Sequence, residues 1–172
     1  EDAKALLIAE INDPNPVLFF EHKALYRSIS ADFPEEYYEV EIGKAKQVRT
    51  GIDVSIITYG MGVIWATEYA DSHPEISIDI LDLRTLLPLD YKAIRTSVNN
   101  TGKVLILHED TMTGGIGGEV AAWISQNCFE FLDAPVMRCA SLDTPVPFNA
   151  ELEKNFLAKS RLDEMVQKLI HY

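Results

Sequence analysis

The stretch that decides the fold runs from Lys103 to Glu119 and has the sequence KVLILHEDTMTGGIGGE. A short run of branched apolar residues ends at three polar side chains, and a glycine-rich turn then leads into a helical pattern. This order predicts a buried parallel strand, a tight turn and a helix, the repeating unit of α/β sheets. Ligands and partners meet such sheets at the carboxyl ends of the strands, so the turn is a candidate functional position. The glycines equally fit a structural role, in which they let the helix pack closely on the strand.

The alternation of strand and helix continues on both sides of this stretch. The pattern predicts strands over 54–59, 76–83, 103–108 and 134–140, and helices over 61–72, 90–98, 118–129 and 160–170. Strands and helices that alternate at this spacing form parallel sheets through right-handed crossovers. The sequence therefore predicts a three-layer α/β/α fold with a mainly parallel sheet.

The beginning of the chain has a different character. Residues 1–11 already follow a helical pattern, residues 12–16 break it, and residues 17–20 are predicted to form a short strand. One helix and one strand cannot form a core by themselves. We therefore expect this part to be the tail of a preceding α/β domain, and the chain to be a piece of a longer polypeptide. Residues 28–38 suit an extended surface linker.

Composition restricts the class of protein. A chain of 172 residues with 47% hydrophobic and 24% charged residues is typical of a globular protein with one core. A net charge of −12 without a Lys/Arg cluster argues against nucleic acid or an anionic membrane as a partner. No apolar run is long enough for a membrane span. Cys128 and Cys139 have apolar neighbours and no CxxC spacing, so we expect them to be buried and reduced.

A partial dinucleotide-binding fingerprint is the first candidate for chemistry. Gly60 and Gly62 follow a predicted strand, and Asp82 ends the next strand, where a ribose-binding acid would stand. Trp65 occupies the position of the third glycine, and an indole there prevents close approach of helix and strand. The glycines of 114–118 also miss the spacing. Both turns fit a structural role better than a nucleotide site, and a dinucleotide-binding module stays the rival interpretation.

The second candidate is acid–base catalysis by His108, Glu109 and Asp110. A histidine beside two carboxylates can transfer protons near neutral pH. No serine or cysteine nucleophile motif lies near, and adjacent strand residues point to opposite faces of the sheet. The other histidines are remote in the sequence: His22, His73 and His171. A structural or interface role is therefore favoured for these three residues.

A set of motifs in order along the chain carries a resemblance to a known family. The motifs are DPNPVLFFE at 13–21, LYR at 25–27, DLRTLLP at 82–88, HE at 108–109 with TGG at 113–115, and DAP at 133–135. Together they resemble the beta subunit, or beta-like half, of the thiamine-diphosphate-dependent 2-oxo acid dehydrogenases, over nearly the whole chain. The sequence LDTPVP at 142–147 is more similar to branched-chain members than to pyruvate members. Weaker kinship extends to the C-terminal domain of transketolases.

The resemblance implies a division of the chain and of the enzyme's work. Residues 1–28 would be the C-terminal remnant of the pyrimidine-binding domain, 29–46 a linker, and 47–172 a transketolase-type C-terminal domain. The whole enzyme would decarboxylate a branched 2-oxo acid with thiamine diphosphate and magnesium and acylate a lipoyl group, in the cytoplasm or the mitochondrial matrix. The family's catalytic residues lie upstream of Glu1, so none is carried over here and the chain alone is expected to be inactive. A pyruvate dehydrogenase or a transketolase-like enzyme stays an alternative.

The resemblance also implies a cation site in the N-terminal part. Relatives hold a monovalent cation near the turn that matches Glu10, Asp13 and Asn15, and hard oxygen ligands of this kind suit potassium. Glu10 stands where relatives have a cysteine or a small residue, which keeps the carbonyl and adds a charge. A plain helix stop is the alternative interpretation of this turn.

The implied partners are a second copy of the domain, the alpha subunit, and the subunit-binding domain of the acyltransferase core. The acidity of the chain, Asp143 and the terminal His171 and Tyr172 are compatible with the last of these, which is basic in relatives. Apolar area for the dimer is expected from Met112 and Ile116. The expected interface residues are His108, Glu109, Thr111, Met112, Thr113, Gly114, Gly115, Ile116 and Glu119.

Overall fold

The structure is a computed structural model that describes residues 2–30, 32 and 34–172. Its strands are β1 Lys46–Arg49, β2 Val54–Thr58, β3 Ile78–Asp82, β4 Val104–Thr111 and β5 Met137–Ser141. They form one sheet in the order β1-β3-β2-β4-β5. β1 pairs antiparallel with β3, and the other pairs are parallel. The mainly parallel sheet expected from the sequence is confirmed.

Helices cover both faces of this sheet. They are α1 Asp2–Asn12, α2 Leu25–Ser28, α3 Met61–Ser72, α4 Tyr91–Thr101, α5 Gly117–Asn127, α6 Ala150–Phe156 and α7 Leu162–Ile170, and short 3-10 turns span Phe129–Phe131 and Ala158–Arg161. α3 and α7 bury Ala66 and Val166 in one core cluster, whereas α4 and α5 bury Ile94 and Ile124 in the other. The three-layer α/β/α architecture is therefore confirmed, with element ends that differ from the predicted ones by a few residues.

The central strands explain why the apolar runs of the sequence are continuous. All of β2 is buried, and β4 is buried from Val104 to His108. A strand covered by helices on both faces has no solvent face, so its sequence does not alternate between apolar and polar residues. Residues 109–111 of β4 are less buried and lead to the glycine turn.

The predicted strand over residues 17–20 is wrong. These residues lie outside the helices and strands of the described structure, and Leu18 and Phe20 are 81% and 87% exposed. The apolar run has no neighbouring strand among the described residues to complete a ladder of hydrogen bonds, and a lone strand is not stable.

The short helix α2 was not predicted, and neither were β1 and α6, whose sequences lack an apolar pattern. β1 has the sequence KQVR and sits at the sheet edge beside β3. α6 is mostly exposed and begins after Asn149, whose side chain accepts hydrogen bonds from the backbone of Glu151 and Leu152. Glu1, Ala31 and Phe33 lie outside the described residues, so the predicted linker over 29–46 is described only in part.

The two cysteines are buried, as expected from the sequence. Cys128 and Cys139 are free and buried. Burial raises the pKa of Cys139 to about 11, so this thiol stays protonated at neutral pH. Within the described residues, every helix is too short or too polar to cross a bilayer.

Candidate functional site

The segment at 111–119 connects β4 to α5 at the carboxyl end of the sheet and is the main candidate site. Hydrogen bonds to neighbouring elements fix its backbone. The carboxylate of Asp143 accepts from the backbone N and the Oγ1 of Thr113, at 2.8 and 2.7 Å. Met112 N donates to the Ser141 carbonyl at 3.0 Å, and Arg138 Nη1 donates to the Met112 carbonyl at 2.9 Å. These hydrogen bonds hold the backbone of the segment in one conformation on the surface.

His108 lies beneath this segment, inside β4, and not at the end of a strand as expected. Its side chain is fully buried. A Cβ on Gly115 would lie 2.7 Å from the ring carbon Cε1, and a Cβ on Gly117 would lie 2.5 Å from Cδ2. Real side chains do not approach this closely, so the two glycines are required for the ring to fit.

The electrostatic surroundings of His108 favour its neutral form. Burial lowers its pKa; Asp110 acts in the opposite direction, and Arg138 lowers the pKa further. Neither ring nitrogen makes a hydrogen bond of normal geometry to another described residue. A neutral histidine closed off from solvent cannot exchange protons with a substrate, so the structure favours the structural role over acid–base catalysis.

Glu109 makes a contact that the sequence did not predict. Its Oε2 lies 3.0 Å from Nε2 of His22, a residue remote from β4 in the sequence. Both side chains are about one third exposed. The N-terminal part folds back onto the carboxyl end of β4, and nothing in the local sequence around His22 indicates this long-range contact.

Apolar area is distributed differently from the expectation. Met112 and Ile116 are half-buried, so the segment itself offers limited apolar surface. The neighbouring loop over 142–149 is more exposed, with Val146 at 64% and Phe148 fully exposed. Asp143 in this loop is bonded to Thr113, so the loop and the segment form one continuous surface.

A concave depression of about 560 Å³ opens on this surface. Its charged lining residues are Asp110, Glu119 and Arg138. The glycines of the turn and Ile116 form another part of its wall. The depression thus contains both positive and negative side chains, and the glycines contribute backbone atoms to its wall.

The glycine turn before α3 has a structural role in the fold. Gly60 adopts a positive φ of 56°, and a Cβ on Gly62 would overlap the Thr58 hydroxyl. Trp65 is buried in the core on the α3 side of the sheet. The Asp82 carboxylate accepts from the backbone N of Arg84 at 2.9 Å, and burial raises its pKa. Gly62 and Asp82 thus have structural partners within the fold, which favours the structural role of this turn.

The residues of the turn predicted to hold potassium form hydrogen bonds with one another. Asp13 Oδ1 accepts from the backbone N and the side-chain Nδ2 of Asn15 at 2.8 and 3.0 Å, and Asp13 N donates to the Glu10 carbonyl at 3.2 Å. This arrangement is an Asx turn that ends α1. It brings the three predicted residues together, and the cation itself stays a prediction.

A cluster of metal-ligating side chains is one sign of a site for magnesium, the ion that thiamine diphosphate needs. No group of three or more His, Cys, Asp or Glu side chains within residues 2–30, 32 and 34–172 is arranged to hold a metal ion. We therefore assign no step of thiamine chemistry to these residues.

Comparisons with known proteins show which family and which relatives this chain resembles. Residues 43–161 match the family model described as the C-terminal domain of transketolase. The chain is 46% identical over 159 residues to the 2-oxoisovalerate dehydrogenase subunit beta of Bacillus subtilis (strain 168), a match that covers 91% of this chain and 49% of that protein. It is 45% identical over 150 residues to the pyruvate dehydrogenase E1 component subunit beta of the same organism, covering 86% and 46%.

A solved structure of a split-gene transketolase, described as an inactive beta4 tetramer, superimposes with a TM-score of 0.67. Its sequence identity is 26%, and the match covers 83% of this chain and 46% of that chain. The chain spans about half the length of the curated relatives it matches. Because the family model covers residues 43–161, more than half of the chain, the chain belongs to the transketolase C-terminal domain family.

Proposed function

We propose that this chain is the C-terminal assembly domain of the decarboxylating component of a branched-chain 2-oxo acid dehydrogenase. The observation that carries the proposal is the 46% identity over 159 residues to a 2-oxoisovalerate dehydrogenase subunit beta. The whole enzyme oxidatively decarboxylates a 2-oxo acid and transfers the acyl group to a lipoyl group. Within the whole enzyme, this chain provides contact surfaces for assembly rather than catalytic residues.

Thiamine diphosphate and magnesium belong to the whole enzyme in this proposal. The cofactor supplies the stabilised carbanion chemistry of decarboxylation when it is bound. The residues of this chain contribute to assembly instead, because the rigid three-layer core holds the segment at 111–119 and the loop at 142–149 in fixed relative positions. The two hydrogen bonds between Thr113 and Asp143 support this assignment.

The proposed partners meet the chain on this surface and along the N-terminal part. A second copy of the chain contacts the segment at 111–119, and an alpha subunit or alpha-like half completes the catalytic unit. The subunit-binding domain of an acyltransferase core docks near the exposed Asp143 and the terminal residues His171 and Tyr172. The net charge of −12 supports a basic partner at the last of these sites.

Potassium at Glu10, Asp13 and Asn15 is a further part of the proposal. The Glu10 carbonyl already accepts from Asp13 N and keeps a second lone pair for a cation.

Bacterial and mitochondrial names among the relatives support a bacterial cytoplasm or a mitochondrial matrix as the compartment.

A pyruvate dehydrogenase is the second candidate. The identity to the pyruvate dehydrogenase subunit of Bacillus subtilis is 45% over 150 residues, almost the same as for the branched-chain relative. A transketolase-like enzyme is a weaker candidate that rests on the structural match to the split-gene transketolase.

A chimeric beta subunit tests the proposal. The matching half of the Bacillus subtilis 2-oxoisovalerate dehydrogenase beta subunit is replaced by this chain, and the chimera is produced with its alpha subunit. We expect a stable complex that decarboxylates 2-oxoisovalerate. The same exchange in the pyruvate dehydrogenase beta subunit is the comparison. A chimera that fails to associate in the branched-chain enzyme while the pyruvate chimera assembles and works would favour the second candidate.

A further inference from the structure

The depression at the end of β4 contains charges that are not neutralised within the chain. Arg138, Asp110 and Glu119 line the same concave surface, and Asp110 and Glu119 are exposed. The ion pairs formed among the described residues involve none of the three. A cation and two carboxylates therefore lie close together without forming a direct pair.

Arg138 is positioned by the fold to present its guanidinium into the depression. Its single hydrogen bond to a described residue is from Nη1 to the Met112 carbonyl, at 2.9 Å. The same nitrogen lies 3.5 Å from the point where a Cβ on Gly118 would stand, beside the first turn of α5. A guanidinium has five N–H donors. Most of the donors of this half-buried group thus lack a protein acceptor among the described residues.

The mixture of charges selects the kind of partner. A partner of one charge sign would pair with only part of this patch: a basic one with Asp110 and Glu119, an acidic one with Arg138. A second copy of this chain satisfies all of them, because a two-fold contact places the same patch against itself. A cation on one copy then faces a carboxylate on the other, and the relation repeats on the opposite side of the axis.

Glu119 is the better acceptor of the two carboxylates. Asp110 Oδ1 already accepts from the backbone N of Thr111 at 2.8 Å. Glu119 makes no hydrogen bond to another described residue through its side chain, and its longer side chain extends from the first turn of α5. The exposed loop with Val146 and Phe148, joined to the same surface through Asp143, supplies apolar area around the charges.

We propose that the depression is a self-complementary dimer contact in which Arg138 of each copy pairs with Glu119 of the other. This inference rests on the homodimer of the proposed function and identifies the contact that fixes its register. Pairing of partly desolvated charges across an interface lowers the dissociation rate and excludes arrangements that bring like charges together.

Mixing two charge-reversed variants tests the pairing. Arg138→Glu and Glu119→Arg each place like charges opposite one another in their own homodimer, so each should raise the dimer Kd by about tenfold or more. In an equimolar mixture, both cross-copy contacts again join opposite charges. We expect native mass spectrometry to show the mixed dimer in excess over either homodimer. Contacts within one chain cannot produce this recovery.

Arg95→Glu is the matched control, because Arg95 is exposed on α4 and makes no ion pair among the described residues. Far-UV circular dichroism checks that each variant is folded. The salt dependence of the Kd gives a second readout, measured for the wild type and for Arg138→Glu. Salt screens the repulsion between two chains of net charge −12 in both, and it weakens the cross-copy pairing only in the wild type, so we expect the wild-type Kd to rise more, or to fall less, with salt than that of the variant. The same salt dependence in both would overturn the pairing.

Each remaining outcome separates this inference from the proposed function. Single variants that dimerise like the wild type, or a mixture that stays monomeric, would overturn the Arg138–Glu119 contact and leave the proposed function untouched. A monomeric wild-type chain would overturn the contact and remove the homodimer from the proposed function. The chimera experiment then still decides the role in a 2-oxo acid dehydrogenase.

Discussion

His22 Nε2 lies 3.0 Å from Glu109 Oε2, although the two residues are 87 positions apart. A second link joins Asp2 of α1 to Arg84, which follows β3, and to Lys46 of β1 at 3.0 Å. β3 and β4 are both parallel to β2, so Arg84 and Glu109 lie at the same edge of the sheet. The N-terminal part is thus held along the carboxyl edge, next to the candidate interface.

Glu109→Gln tests the link between the N-terminal part and β4. The change removes the charge and keeps the shape, so His22 loses an ionic partner. Because both side chains are about one third exposed, we expect the free energy of unfolding to fall by at most about 1 kcal/mol. The clearer effect should be local: amide hydrogen exchange in residues 13–30 should become faster. Glu164→Gln on the exposed face of α7 is the control, and equal exchange in both variants would contradict the link.

Gly117→Ala tests the packing of His108 beneath the glycine turn. A methyl group at this position would overlap the imidazole, whose Cδ2 would be 2.5 Å away. We expect a loss of about 1 to 3 kcal/mol in the free energy of unfolding, measured by urea denaturation. Gly118→Ala is the matched control, since its nearest atom would be Arg138 Nη1 at an ordinary 3.5 Å. The control should be neutral or gain up to about 1 kcal/mol. Equal effects of both changes would contradict the account.

The pKa of His108 predicts how stability depends on pH. Burial lowers this pKa below its ordinary value of about 6.5, with Asp110 opposing and Arg138 assisting the shift. The unfolded chain therefore binds a proton more readily than the folded chain. Stability is at its full value above about pH 6.5 and declines, by at most about 1.4 kcal/mol per pH unit, as the pH falls toward the folded pKa. His108→Gln should show a shallower decline between about pH 7.5 and about pH 5.5 in urea denaturation. Parallel curves for the variant and the wild type would show that His108 is not the group responsible.

Among the strands that the sequence predicted correctly, β2 and β4 contain the most continuous buried runs. β2 and β4 are covered on both faces, so their sequences alone indicate burial. Residues 17–20 have the same apolar character and no sheet to join, which local sequence does not reveal. β1 is polar because it lies at the edge, where pairing with β3 rather than its own composition makes it a strand.

The candidate site was only partly predictable for the same reason. The glycines at 115 and 117 indicated a close approach, but not that the approaching group is the ring of His108. The contact of Glu109 with His22 and the bond of Thr113 to Asp143 join residues far apart in the chain. Such contacts depend on the tertiary fold and leave no periodic pattern in the sequence.

The assignment of assembly rather than chemistry predicts no cofactor binding by this chain alone. The family resemblance assigns the cofactor-activating residues to the part of the enzyme upstream of Glu1, so isothermal titration of this chain with thiamine diphosphate and magnesium should give no saturable heat. The same preparation should not decarboxylate branched 2-oxo acids. Binding at micromolar concentration would mean that the division of labour proposed for this domain is wrong.

Sedimentation equilibrium of the wild-type chain and of Ile116→Asp is the measurement that tests the central claim most directly. Ile116 lines the depression on the segment at 111–119, so a carboxylate there would place two like charges near the two-fold axis of the proposed dimer. At micromolar concentration we expect the wild type at twice the chain mass of 19.3 kDa, and the variant shifted toward a single chain. A wild type that sediments as one chain, or a variant that dimerises as tightly as the wild type, would contradict the claim that this segment is the assembly surface.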